Sequence, residues 1–198
     1  TIVALGNNSA TTERDIVAMG QRLAGVGTQM GLAECGVLAM SAAMASVGIE
    51  AEAGGSAMSA SMKKIDAAVR DGGSKLELLA QVSGMSAEEF SASWRDNAAG
   101  AVASFTEGLG GMIANGEDAN GVLRDLGISG MRESDTMIRL AGATQAAGTE
   151  QDLLRESLLL AGEAWEENSA LANEAAQRYE TRAAQMQMAI NSIKDEAI

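Results

Sequence analysis

The sequence predicts an all-α protein, and three observations carry that prediction. None of its 198 residues is proline. Strong helix formers, above all alanine with leucine, methionine, glutamate and glutamine, make up nearly half of the chain. The glycines fall singly or in pairs between stretches whose apolar residues recur with helical spacing. Only five residues are aromatic (2 Trp, 1 Tyr, 2 Phe), against 12 methionines. The predicted architecture is therefore short glycine-punctuated helices forming a thin core, followed by a long C-terminal coiled-coil-like helix. Its divisions are a loop or edge over 1–10, the helical core over 11–148 and the long helix over 149–198. The opening threonine and the helix-forming end INSIKDEAI read as cuts through a longer polypeptide, so a fragment of a longer chain is expected.

In chain order, a first helix starts at Thr12, with Asp15 three residues on in a capping-box-like arrangement. Ile16, Gly20, Leu23, Gly27 and Met30 share one of its faces, and Gly31 breaks it. A second helix, Leu32 to about Val47, is small or apolar all round, which predicts burial on several sides. Gly48 ends it, and Glu50 to Gly55 read as a turn. A third helix spans Ser56 to Asp71, with Met58, Met62, Ile65 and Val69 on one side, and Gly72-Gly73 stop it. Ser74 and Glu77 have the spacing of a capping box opening a fourth helix that carries Leu76, Leu78, Leu79 and Val82.

The organising stretch is Gly84 to Phe105. Gly84 suits the left-handed conformation that closes a helix, and Ser86 with Glu89 forms a second capping box. Met85 and Phe90 occupy the positions of a hydrophobic staple. Phe90, Trp94, Val102, Phe105 and Leu109 continue a face that should anchor the core. Asp96 is expected to cap a segment running to about Ala114, closed by Asn115-Gly116. A short helix follows over Asp118–Leu126, presenting Val122, Leu123 and Leu126. Gly127-Ile128-Ser129 then repeats the junction seen at Gly84–Ser86. The next helix, about Gly130 to Gln145, offers Met131, Met137, Ile138 and Ala141 for packing, and Gly148 ends the compact part.

Thr149 and Asp152 signal a new start, and no glycine follows Gly162. A 3/4 spacing runs through Leu158, Gly162, Trp165, Ser169, Ala172, Ala176, Tyr179, Ala183, Met186, Ile190, Ile193 and Ala197, which predicts an oligomer seam whose larger side chains are Leu158, Trp165, Tyr179, Met186, Ile190 and Ile193. Isoleucine at successive seam positions favours three or more strands. A helix docked on the rest of its own chain would show the same spacing.

Enzymatic chemistry finds little to work with. The chain has no histidine, so Ser-His-Asp, Cys-His and zincin arrangements are absent from this sequence. Cys35 is the only cysteine and reads as a small buried residue. The adjacent acids Glu88-Glu89, Glu117-Asp118 and Glu166-Glu167 fall in first helical turns or on solvated faces, where acids are expected anyway. No catalytic residue, cofactor or metal is assigned, and the chain is not expected to be an enzyme. The net charge of −13 opposes binding to phosphate backbones, so no specific nucleic-acid binding is expected. The uncharged run Cys35 to Ile49 is too short and glycine-interrupted for a membrane span.

From about residue 10 to 145 the chain resembles the core segment of tape measure proteins from long-tailed bacteriophages. The residues carrying the resemblance are Gly31-Leu32, the run Glu52 to Met58, and Met85 to Phe90 with Trp94. They continue with Ala101, Phe105, Gly108-Leu109, Leu123, Leu126-Gly127-Ile128, Arg132 and Leu140-Ala141. One departure is Asn97 after Asp96, where the family often has proline. The resemblance implies a structural virion protein that acts as ruler and scaffold for tail tube assembly and leaves the tail during genome ejection. It further implies self-association, contact with the tail tube protein, tail assembly chaperones and tail tip or baseplate proteins, and host envelope contact through other parts of the parent chain. The implied location is the tube lumen of the virion tail, and the host cytoplasm during assembly. A helical coiled-coil signalling or secreted effector protein is the alternative, since the heptad-like end suits either. The capped short helices of 48–148 speak against a plain bundle.

Overall fold

The computed structural model describes residues 1–146 and 153–167, and those residues form ten α-helices with no strand among them. In order they are α1 (Ile2–Asn7), α2 (Glu13–Met30), α3 (Glu34–Ser46), α4 (Ala51–Asp71) and α5 (Gly73–Val82). Then come α6 (Ala87–Asp96), α7 (Ala98–Ala114), α8 (Ala119–Asp125), α9 (Met131–Ala146) and α10 (Leu153–Glu167). The all-α class is as the composition predicts.

Two helices organise the packing. α3 is the small-residue helix, and it touches α2 and α10 extensively and α1, α7 and α9 at its edges. Gly36, Ala39, Met40, Ser41, Ala42, Ala43 and Met44 are all buried, so the helix is enclosed on every side, as its uniform composition requires. α7 plays the same part for the second half, meeting α9, α6, α10, α5 and α8. α4 lies against α2 and α9 and ties the two halves together. With few aromatics to fill the space, the interior relies on Met19, Met40, Met44, Met58, Met62 and Met137, all fully buried. Unbranched thioether side chains adapt to the irregular gaps between alanine faces.

Several boundaries differ from the sequence reading. Residues 1–10 are not simply a loop, because Ile2–Asn7 form α1. This single turn-and-a-half has no side-chain cap and is held by packing: Leu5 is buried in a small cluster with Ile16, Ala39, Ala42 and Ala161. Glu50 to Gly55 is not a turn but the first part of α4. Gly54 and Gly55 are there for contact, not flexibility. A Cβ on Gly54 would lie 2.0 Å from Ile49 Cγ2, and one on Gly55 2.4 Å from Arg22 Cβ. On α2, Met19 and Val26 are buried beyond the face expected, while Gly20 and Met30 are only half-buried. Met131, expected to pack, is 89% exposed at the start of α9, and Leu140 is buried in that helix instead.

The start of the region assigned to a separate long helix also behaves differently. α10 docks on α3, with further contacts to α1, α7 and α9. Leu154, Ser157, Ala161 and Ala164 form its buried face. The sequence reading allowed for docking, and over 153–167 docking is what the fold uses. The start signal Thr149–Asp152 and the seam residues Tyr179, Met186, Ile190 and Ile193 lie outside the described residues.

Candidate functional site

The joint between α5 and α6 is where the sequence placed its main anchor. Two backbone bonds close α5: Gly84 N–H donates to Gln81 O (3.2 Å) and Met85 N–H donates to Ala80 O (2.9 Å), with Gly84 at φ 67°. Ser86 then opens α6. Its hydroxyl accepts from Glu89 N–H (3.2 Å), and the Glu89 carboxylate accepts from Ser86 N–H (2.8 Å), so the capping box is complete. The Ser86 backbone N–H, helped by the Ser86 hydroxyl, holds the Glu89 carboxyl below its ordinary range. Met85 packs against the core in which Phe90 is fully buried.

The same two-bond closure recurs at Gly31-Leu32, Gly48-Ile49, Gly116-Glu117 and Gly127-Ile128. After three of these glycines the next residue is apolar and joins the core, with Ile49 and Ile128 buried and Leu32 packed against it. Each of these three joints thus turns the chain and plugs the interior in one step. The expected repeat at Gly127-Ile128 is therefore present, but Ser129 does not cap α9. Glu133 does half of that work, its carboxylate accepting from Gly130 N–H (3.3 Å) while pairing with Lys64 on α4.

All five expected anchor residues are buried: Phe90, Trp94, Val102, Phe105 and Leu109. They do not form one continuous helical face, because the chain breaks between α6 and α7. Asn97, not Asp96, caps α7, its side-chain oxygen accepting from Gly100 N–H (3.0 Å). The Trp94 indole N–H donates to Asp66 Oδ1 (3.1 Å), and Asp66 Oδ2 pairs with Arg70 (2.8 Å). This link from α6 to α4 was missed by sequence reasoning; its only signal was the four-residue spacing of Asp66 and Arg70. Gly108 on α7 meets the end of α5 so closely that a Cβ there would lie 1.7 Å from the Val82 carbonyl oxygen.

The capping box expected at Ser74 and Glu77 is absent. α5 begins at Gly73 with Gly72 before it and no side-chain cap, so Ser74 and Glu77 lie within the helix. Of the seam residues described, Leu158 is half-buried against the core and Trp165 is 50% exposed. Leu158 also lines a cleft of about 490 Å³, between the α2–α3 connection, the α6–α7 break and α10. Cys35 lines it too, half-buried, and Arg155 on its wall pairs with Glu107 (2.6 Å). Glu88 and Glu89 are exposed in the first turn of α6, and Asp118 caps α8 by accepting from Gly121 N–H (2.8 Å). No three histidine, cysteine, aspartate or glutamate side chains gather as a metal site among the described residues. Nor is any described helix long and apolar enough to cross a membrane.

The chain matches no protein-family model, no curated protein and no solved structure.

Proposed function

We propose that this chain is a structural segment of a bacteriophage tail tape measure protein, serving as a packed node on an otherwise extended helical ruler. The observation that supports this reading is where the residues carrying the resemblance fall. Gly31-Leu32, Met85–Phe90 and Leu126-Gly127-Ile128 are helix joints, and Gly54, Gly55 and Gly108 are points where a neighbouring residue leaves no room for a Cβ. Trp94, Ala101, Phe105, Leu109, Leu123, Leu140 and Ala141 are core. A set of residues chosen for order and spacing alone thus coincides with what one helical bundle needs to hold together.

The bundle itself is not the measuring element. A ruler needs a fixed rise of about 1.5 Å per residue, which helices folded back on one another do not add up to. Measuring belongs to extended helix elsewhere in the parent chain, where copies associate in three or more strands within the tube protein. The acidic surface keeps such a scaffold from holding the DNA that later passes through the same lumen. Tail assembly chaperones and tail tip or baseplate proteins are its further partners under this reading.

The test is tail length. Six heptads inserted into the heptad-patterned sequence after residue 167 in the parent gene should lengthen virion tails by about 60 Å in electron micrographs. Tails of unchanged length, or purified virions that lack the chain, would overturn the proposal.

A further inference from the structure

We propose that the joint between α3 and α4 is a binding site for a single carboxylate, held between the N-terminus of α4 and the Arg132 and Thr136 side chains of α9. The cleft there has a volume of about 270 Å³, and its polar side chains are Glu50, Arg132, Asp135, Thr136 and Arg139. It is separate from the α5–α6 joint and does not depend on the tape measure reading.

Two observations point to a ligand. The first is that α4, a helix of 21 residues, has no side-chain cap. Its first intrahelical bond is Gly54 N–H to Glu50 O (2.8 Å), so the N–H groups of Ala51, Glu52 and Ala53 have no partner within the helix. Ala53 and Gly54 line the cleft, so this positive end opens onto it. The second observation is Thr136. It is 2% exposed, lines the same cleft and makes no hydrogen bond among the described residues. Its hydroxyl is nonetheless not sealed in, because the unpartnered side-chain atoms that are fully enclosed belong to Ser46 and Ser61. A buried hydroxyl facing a cleft without a partner is a donor waiting for an acceptor.

Charge selects the ligand. Arg139 is already engaged, pairing with Asp135 (3.1 Å) and donating to Gly48 O (3.3 Å). Arg132 makes no ion pair among the described residues. Glu50 and Asp135 offset the two arginines, so the cleft is close to neutral and disfavours a dianion. A monocarboxylate fits the donors present: one oxygen on Arg132, the other shared by the Thr136 hydroxyl and the α4 amides.

The experiment is an amide chemical-shift titration of the whole chain with sodium acetate, with sodium phosphate and sodium chloride in parallel at equal ionic strength. Acetate should give saturable shifts at Ala51, Glu52 and Ala53. Thr136→Val, which keeps the shape and removes the hydroxyl, should weaken acetate binding about tenfold, and Arg132→Gln at least as much. Both variants should keep the parent circular dichroism, Arg132 being exposed and Thr136→Val being isosteric. Linear shifts without saturation, tighter binding of phosphate than acetate, or folded variants that bind acetate as the parent does would each overturn the proposal.

Discussion

The joints at Gly84–Glu89 and Gly72–Glu77 look alike on paper, and the structure builds them differently. Both place a glycine ahead of a serine with a glutamate three residues later. At the first, Met85 separates glycine from serine and packs into the core, so the chain has turned before Ser86 caps α6. At the second, Gly73 stands in the apolar position, and with no side chain to plug the core the next helix starts at once. Ser74 is then already inside α5, past the capping position, and makes no capping bond. Gly72 instead carries the turn, at φ 70° and ψ −154°, a region open in practice only to glycine. One joint is held by side chains and the other by backbone freedom alone.

That difference orders the expected effects of mutation. The largest belongs to the anchor behind the first joint: Trp94→Ala should lose about 3–5 kcal/mol of unfolding free energy in urea titration, since it empties a core site and strands the Asp66 acceptor. Gly108→Ala should follow. Its Cβ would overlap the Val82 carbonyl, and the forced separation of α5 and α7 should lower stability by about 1–3 kcal/mol. At the joints themselves, Gly72→Ala should cost about 1–3 kcal/mol and Gly84→Ala about 1–2 kcal/mol, so thermal melts should rank the backbone-held joint as the more sensitive to losing its glycine.

The same contrast shows what could be read from the sequence. Capping chemistry was legible at Thr12, where Asp15 N–H donates to the Thr12 hydroxyl, and at Ser86, because in both an apolar-periodic helix follows the cap. The anchor residues Phe90, Trp94, Val102, Phe105 and Leu109 were legible because large side chains are rare enough here to have one destination. Glycine was the residue the sequence could not resolve. Gly84 and Gly127 turn the chain, whereas Gly54, Gly55 and Gly108 sit inside helices to admit a neighbour, and nothing local separates the two uses. The neighbours that separate them, Ile49, Arg22 and Val82, become visible only once the helices are packed. The docked face of α10 was hidden for a related reason. Ser157, Ala161 and Ala164 are small or polar enough to be passed over beside Leu158 and Trp165, yet Ala161 is the residue that meets Ala39 and Ala42 of α3. The carboxylate cleft was invisible too, since Thr136 and Arg132 meet α4 across a span no motif connects.

Acid should sharpen the comparison further. The Glu89 carboxyl is held below its ordinary range in the folded chain, so its contribution is present above the unfolded value of about 4.3 and is lost as pH falls through the lower folded value. The penalty of Glu89→Gln measured near neutral pH should therefore shrink in that acid window.

The smallest effects decide the most. Urea unfolding of Ser86→Ala beside Ser74→Ala compares the two joints at the one atom type in which they differ. A side-chain-held joint predicts a loss of about 0.5–2 kcal/mol for Ser86→Ala and a change within about 0.5 kcal/mol for Ser74→Ala. Equal losses at the two serines, or a larger one at Ser74, would contradict it.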